Sequence, residues 1–138
     1  MAKGSALKQA VKDEFAYQHK PVPSDEEVAA LARVAAGAIN ADVGSFPFPA
    51  DKVQQQAIAH VVVAFTRLPD PRDVHGDQIG DLVKATFDRE GKRKPTPVVL
   101  EALRRLAVGF LAENEHPQFM VARVVAAKTV VDFYLDGV

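Results

Sequence analysis

SALKQAVKDEFAYQHKPVPSDEEVAALARVAAGAIN, residues 5–40, lies without a gap over DQIGDLVKATFDREGKRKPTPVVLEALRRLAVGFLA, residues 77–112, when the chain is slid on itself by 72 positions. Ten of the thirty-six pairs are identical: Val11/Val83, Lys12/Lys84, Phe15/Phe87, Lys20/Lys92, Pro23/Pro95, Ala30/Ala102, Leu31/Leu103, Arg33/Arg105, Ala35/Ala107 and Gly37/Gly109. Leu7/Ile79, Ser24/Thr96, Val28/Leu100, Val34/Leu106 and Ile39/Leu111 keep their character. Any two amphipathic helices share apolar periodicity. They do not thereby share a proline, a capping hydroxyl, a glycine and charged positions. The stretch reads as two copies of one unit, with a period beyond that of typical solenoid repeats.

Local signals give each copy two helices. Leu7, Val11 and Phe15 form one stripe and predict a helix over about 5–18, which Pro21 and Pro23 end. Ser24 with Glu27 is a capping box, and the helix behind it, striped by Val28, Leu31, Ala35 and Ile39, runs to about Asn40. Ile79, Leu82, Val83 and Phe87 predict a helix over about 77–89, broken by Gly91 and Pro95. Thr96 is a good N-cap, Pro97 suits the first helical position, and this helix reaches about Ala112.

A third helix is expected over about 50–68, and a sixth from Glu115-His116-Pro117 to Asp136-Gly137. With a connecting loop four residues shorter these also register, pairing Pro49/Pro117, Val62/Val130, Val63/Val131 and Phe65/Phe133. Both are apolar around most of their circumference. That pattern predicts burial at the centre, with Val63, Phe65, Val131 and Phe133 in one shared core. Residues 59–65 and 121–131 also suit buried strands by composition, but their length favours helix. The expected fold is all-α: one domain over residues 1–138, built from two pseudo-two-fold-related three-helix units at about 5–68 and 77–136. Gly37 and Gly109 lie mid-helix, where glycine costs about 1 kcal/mol relative to alanine. A helix accepts that cost where another backbone must come close.

Composition narrows the function classes. Of 138 residues, 48% are hydrophobic and 25% charged, and the net charge is −1, so no global charge excess points to nucleic acid or membrane. Cysteine is absent, which removes disulfides, thiolate metal sites and cysteine nucleophiles. The beginning, MAKGSALKQAVKDEF, lacks the apolar core of a signal peptide, and no apolar run approaches the roughly 20 residues of a membrane span. A cytoplasmic location is the expectation.

No phosphate-binding glycine loop, nucleophile elbow or HExxH occurs, and the four histidines have no helical ligand spacing. No metal, cofactor or catalytic residue is therefore expected. His60, within an apolar stretch, reads as a core or interface residue. Asp73-Val74-His75-Gly76-Asp77 reads as a polar turn capping a helix. Two features suggest partners. Phe46 and Phe48, pinned by Pro47 and Pro49, form a rigid aromatic loop suited to anchor a protein or peptide. Arg89, Lys92, Arg93, Lys94 and Arg104 form a basic segment around a capped helix start and offer contacts to phosphates. The leading expectation is a non-enzymatic protein- or peptide-binding module, possible also as a homo-oligomer. The alternative is a nucleic-acid binder using residues 89–105.

Overall fold

A computed structural model of the chain describes residues 4–42, 50–67, 76–113 and 119–137. They form six α-helices: α1 Gly4–Tyr17, α2 Asp25–Asp42, α3 Ala50–Thr66, α4 Gly76–Arg89, α5 Pro97–Leu111 and α6 Met120–Asp136. The valine-rich runs that also suited strands are helical, and no strand occurs among the described residues. No helix among these residues is long and apolar enough to cross a membrane. The chain divides into two compact units, residues 1–63 with 132–138, and residues 64–131.

In the first unit α1 packs on α2. Leu7, Val11 and Phe15 of α1 and Val28, Leu31 and Ala35 of α2 are buried as their spacing predicts, Val34 is buried with them, and Ile39 at the end of that stripe is half-buried. The corner between the helices is closed by backbone. The Lys20 N–H donates to the Phe15 carbonyl at 2.9 Å and the His19 N–H to Ala16 at 3.1 Å, a Schellman turn. That turn needs a left-handed residue after the helix, and His19 supplies it at φ 58°. The capping box forms as read: Ser24 Oγ accepts from the Glu27 N–H at 3.3 Å, and Glu27 Oε1 accepts from the Ser24 N–H at 3.1 Å. Further along α2, Gly37 meets the backbone of Phe133. A Cβ there would overlap the Phe133 carbonyl and lie 2.5 Å from its C and Cα atoms. Beside it the Arg33 guanidinium stacks on Tyr134, 3.8 Å from the ring centre.

The second unit repeats these devices 72 positions on. α4 packs on α5, burying Ile79, Val83 and Phe87 against Leu103, Leu106 and Ala107. The Lys92 N–H donates to Phe87 at 2.9 Å and the Gly91 N–H to Asp88 at 3.1 Å, with Gly91 left-handed at φ 66°. Thr96 Oγ1 accepts from the Val99 N–H at 3.4 Å. Gly109 meets the backbone of Ala64, and a Cβ there would lie 2.6 Å from the Ala64 C atom. Arg105 stacks on Phe65 at 3.9 Å.

Two expectations from sequence are corrected. These contacts match Ala64 with Phe133 and Phe65 with Tyr134, a separation of 69 residues and not the 68 that aligned Phe65 with Phe133. Three consecutive valines let the alignment slip by one position at little cost in identity, whereas the packed face cannot slip. The second correction concerns burial. Phe65 and Val131 are buried, but Val63 is 36% exposed and Phe133 is half-buried, so the four do not make one core. Nor are α3 and α6 buried all round. The largest fully buried side chains lie mostly on α1, α2, α4 and α5.

Candidate binding surface

α6 is a helix with more apolar residues than its packed face can take. One face is buried: Arg123, Ala126, Ala127, Val130, Val131 and Tyr134. The buried Arg123 guanidinium donates to Gln78 Oε1 at 3.0 Å. At the helix start, the Phe119 carbonyl accepts from the Ala122 and Arg123 amides at 3.1 and 3.3 Å, closing the first turn. The outer side of that end carries Val121, 73% exposed, and Val125, 55% exposed, four residues apart and so on one face. Phe119 and Met120, at the helix start but turned at least about 100° away from Val121 around the axis, are 58% and 47% exposed. Lys128, one turn further along the same face, is exposed.

The corresponding positions of α3, 69 residues earlier, hold Lys52 for Val121, Gln55 for Val124 and Gln56 for Val125. Lys52 and Gln56 are exposed there as the valines are in α6, while Val53, Ile58, Val61, Val62 and Phe65 are buried. Burial agrees at Ile58/Ala127, Val61/Val130, Val62/Val131 and Phe65/Tyr134, whereas at the helix starts buried Val53 stands against half-buried Ala122 and half-buried Gln54 against buried Arg123. Sequence reading missed this surface because it took apolar residues on every side of a helix as a sign of burial. The signal was present as Lys52-Val53-Gln54-Gln55-Gln56, but only the register of 69 sets those residues opposite the valines.

The sites expected from sequence fare differently. Phe46 and Phe48 lie outside the described residues, as do Asp73 and His75 of the polar turn. His60 is exposed on α3 and is not a core residue, because it falls on the outer side of the helix. Among the basic residues, Arg89, Lys92 and Arg93 are exposed around the turn after α4. Lys94 is held by Asp88, Nζ to Oδ1, at 2.5 Å. Arg104 lies elsewhere. Its Cδ faces Gly80, nine residues before Arg89 and thus about 13 Å away along α4. Its Nε donates to both carboxylate oxygens of Glu101, at 2.7 and 2.9 Å. That hydrogen bond holds the Glu101 carboxyl below its usual range against partial desolvation, with the Arg104 and Arg105 charges adding to it. The five cations do not form one patch.

Arg104 and Glu101 instead line a groove of about 430 Å³ between α4 and α5, with Gly80, Asp81, Lys84, Pro97 and Leu100. Two acidic and two basic side chains line it, so the groove carries no net charge. No group of three histidine, aspartate or glutamate residues able to hold a metal occurs among the described residues. Compared with protein-family models, curated proteins and solved structures, the chain gives no match.

Proposed function

We propose that this chain is a non-enzymatic protein- or peptide-binding module, made by duplicating one three-helix unit whose copies kept their packing and diverged on the outer face of the third helix. Support for the duplication comes from the matched Schellman turns, N-caps, backbone-contacting glycines and stacked arginines at positions 72 apart. The recognition surface is the outer face of α6 at Val121 and Val125. The observation that carries it is the exposure of Val121 and Val125 where the first copy has Lys52 and Gln56.

Those valines gain little from their own fold, being 73% and 55% exposed. An exposed apolar side chain keeps its unfavourable contact with water. Valine also loses χ1 freedom in a helix and forms one less readily than lysine or glutamine. Both local preferences favour the residues the first copy has. Contiguous apolar surface on a folded chain marks an interaction site, and residues that break a local rule are expected where function requires them.

The test is a selection of displayed random peptides on the full chain. Enriched peptides should bind the chain and lose binding to Val121→Glu/Val125→Glu, while Lys52→Glu/Gln56→Glu leaves binding intact. Failure to enrich any peptide, or enrichment indifferent to the α6 variant, would refute the reading. The alternative, nucleic-acid binding through Arg89, Lys92 and Arg93, would appear in the same experiments as salt-dependent retention of DNA or RNA.

A further inference from the structure

We infer that the chain assembles with a second copy of itself by exchanging halves at residues 68–75, which join α3 to α4. This assembly is independent of what α6 binds.

The division into compact units does not fall in that connection. Residues 64–67, at the end of α3, belong with α4 and α5, and residues 132–137, at the end of α6, belong with α1 and α2. Each half of the chain thus ends its last helix on the hairpin of the other half. In the first unit the Phe133 backbone fills the space over Gly37, and the Tyr134 ring lies under the Arg33 guanidinium. Asn40 Nδ2 donates to the Asp136 carbonyl at 3.3 Å, and a Cβ on Gly137 would overlap the Arg33 carbonyl. In the second unit the Ala64 backbone fills the space over Gly109, and the Phe65 ring lies under Arg105. Arg67 Nη1 donates to the Gly109 carbonyl at 3.2 Å and pairs with Glu113 at 3.1 Å.

Every one of these contacts joins a residue before the connection to a residue after it. Residues 4–67 of one copy can therefore make the same contacts with residues 76–137 of another, and the remaining two halves make them again. Exchange preserves these contacts, and the path of residues 68–75 is what it changes. Each copy gives one half and receives one, so the assembly closes at two with no seat left unfilled. Proximity opposes it. A short linker holds its two ends at an effective concentration of about millimolar, so the chain closes on itself in dilute solution. Shortening the connection removes that advantage, because a linker that cannot span its sites contributes nothing, and short hinges favour exchange.

Two experiments on the full chain test the exchange. Removal of residues 70–73 should double its mass in light scattering and leave the amide shifts of residues 33–40, 105–109 and 133–137 in place. A shortened chain that stays monomeric, or that loses its fold at every concentration, would overturn the exchange. The second experiment leaves the connection intact. Gly37→Leu and Gly109→Leu each block one seat. Unfolded together in urea and refolded at about 1 mM, near the effective concentration of the linker, the two variants should form a mixed dimer. One pair of halves in that dimer carries both substitutions and the other carries neither, so the native amide pattern reappears in the mixture. Neither variant refolded alone can regain it, since each pair of halves then carries one substitution. A mixture whose spectrum is the sum of the two variants would overturn the exchange, also where neither variant folds by itself.

Discussion

The outer face of α3 carries Lys52, Gln55 and Gln56, and that of α6 carries Val121, Val124 and Val125, at positions that match when the inner faces are superimposed in sequence at a separation of 69. The helical hairpins behind them differ far less. Phe15 and Phe87, Leu31 and Leu103, and Val34 and Leu106 are buried alike in α1–α2 and α4–α5. The contrast separates two demands on the same helix. Packing against neighbours fixes the inner face, and a methylene too many or too few there is felt. Solvent imposes only a weak preference on the outer face, so apolar residues there are what the proposed binding role would account for. The groove between α4 and α5 shows a milder divergence. Gly80 leaves room there for Arg104, where the first hairpin has Lys8 and Ala32.

The strongest way to break the comparison is at the glycines. Gly37 and Gly109 each sit against a backbone carbonyl, of Phe133 and Ala64 respectively, and a backbone yields less readily than a side chain. Alanine would gain about 1 kcal/mol of helix propensity but force the helices apart, so each substitution should destabilise by about 3 kcal/mol or more. Urea denaturation of Gly37→Ala and Gly109→Ala checks this. Comparable losses support equivalent roles, and a loss at one position alone would break the equivalence.

A smaller effect sharpens the comparison at the corners. The left-handed residue of the Schellman turn is His19 in one hairpin and Gly91 in the other. A side chain in that conformation costs about 1–2 kcal/mol. His19→Gly should therefore stabilise the chain by up to about that amount, and Gly91→Ala should destabilise it by a similar amount. Thermal unfolding of the two variants should move in opposite directions. Equal signs would mean that the two turns are not the same device.

Much of this was legible in the sequence, and the reason is locality. Ser24 with Glu27, Thr96 with Pro97, and the prolines at 21, 23 and 95 act within a few residues, so they mark helix ends without knowledge of the fold. The stripes of α1, α2 and α4 likewise predict most of their buried faces, though Ile39 and Leu82 are only half-buried. What was not legible depends on contacts distant in sequence. Val61-Val62-Val63 has no internal mark of which valine faces inward, and only the Ala64–Gly109 and Arg105–Phe65 contacts fix its register. Without that register, Val121 aligned with the buried Val53 in place of Lys52, and an exposed surface passed for core. The basic segment looked continuous for a related reason. A list of cations in sequence hides that Arg104 is held by Glu101 on α5 and faces Gly80, away from Arg89.

The central claim is that the apolar outer face of α6 is not needed for folding. Giving α6 the residues of α3, as Val121→Lys/Val125→Gln, tests it directly by equilibrium urea denaturation, with no partner required. Surface substitutions away from structural features change stability by no more than about 0.5 kcal/mol, and better helix formers offset any small packing loss. The account predicts a midpoint and slope close to those of the unmodified chain. A loss of about 2 kcal/mol or more would place Val121 and Val125 in the core and contradict it.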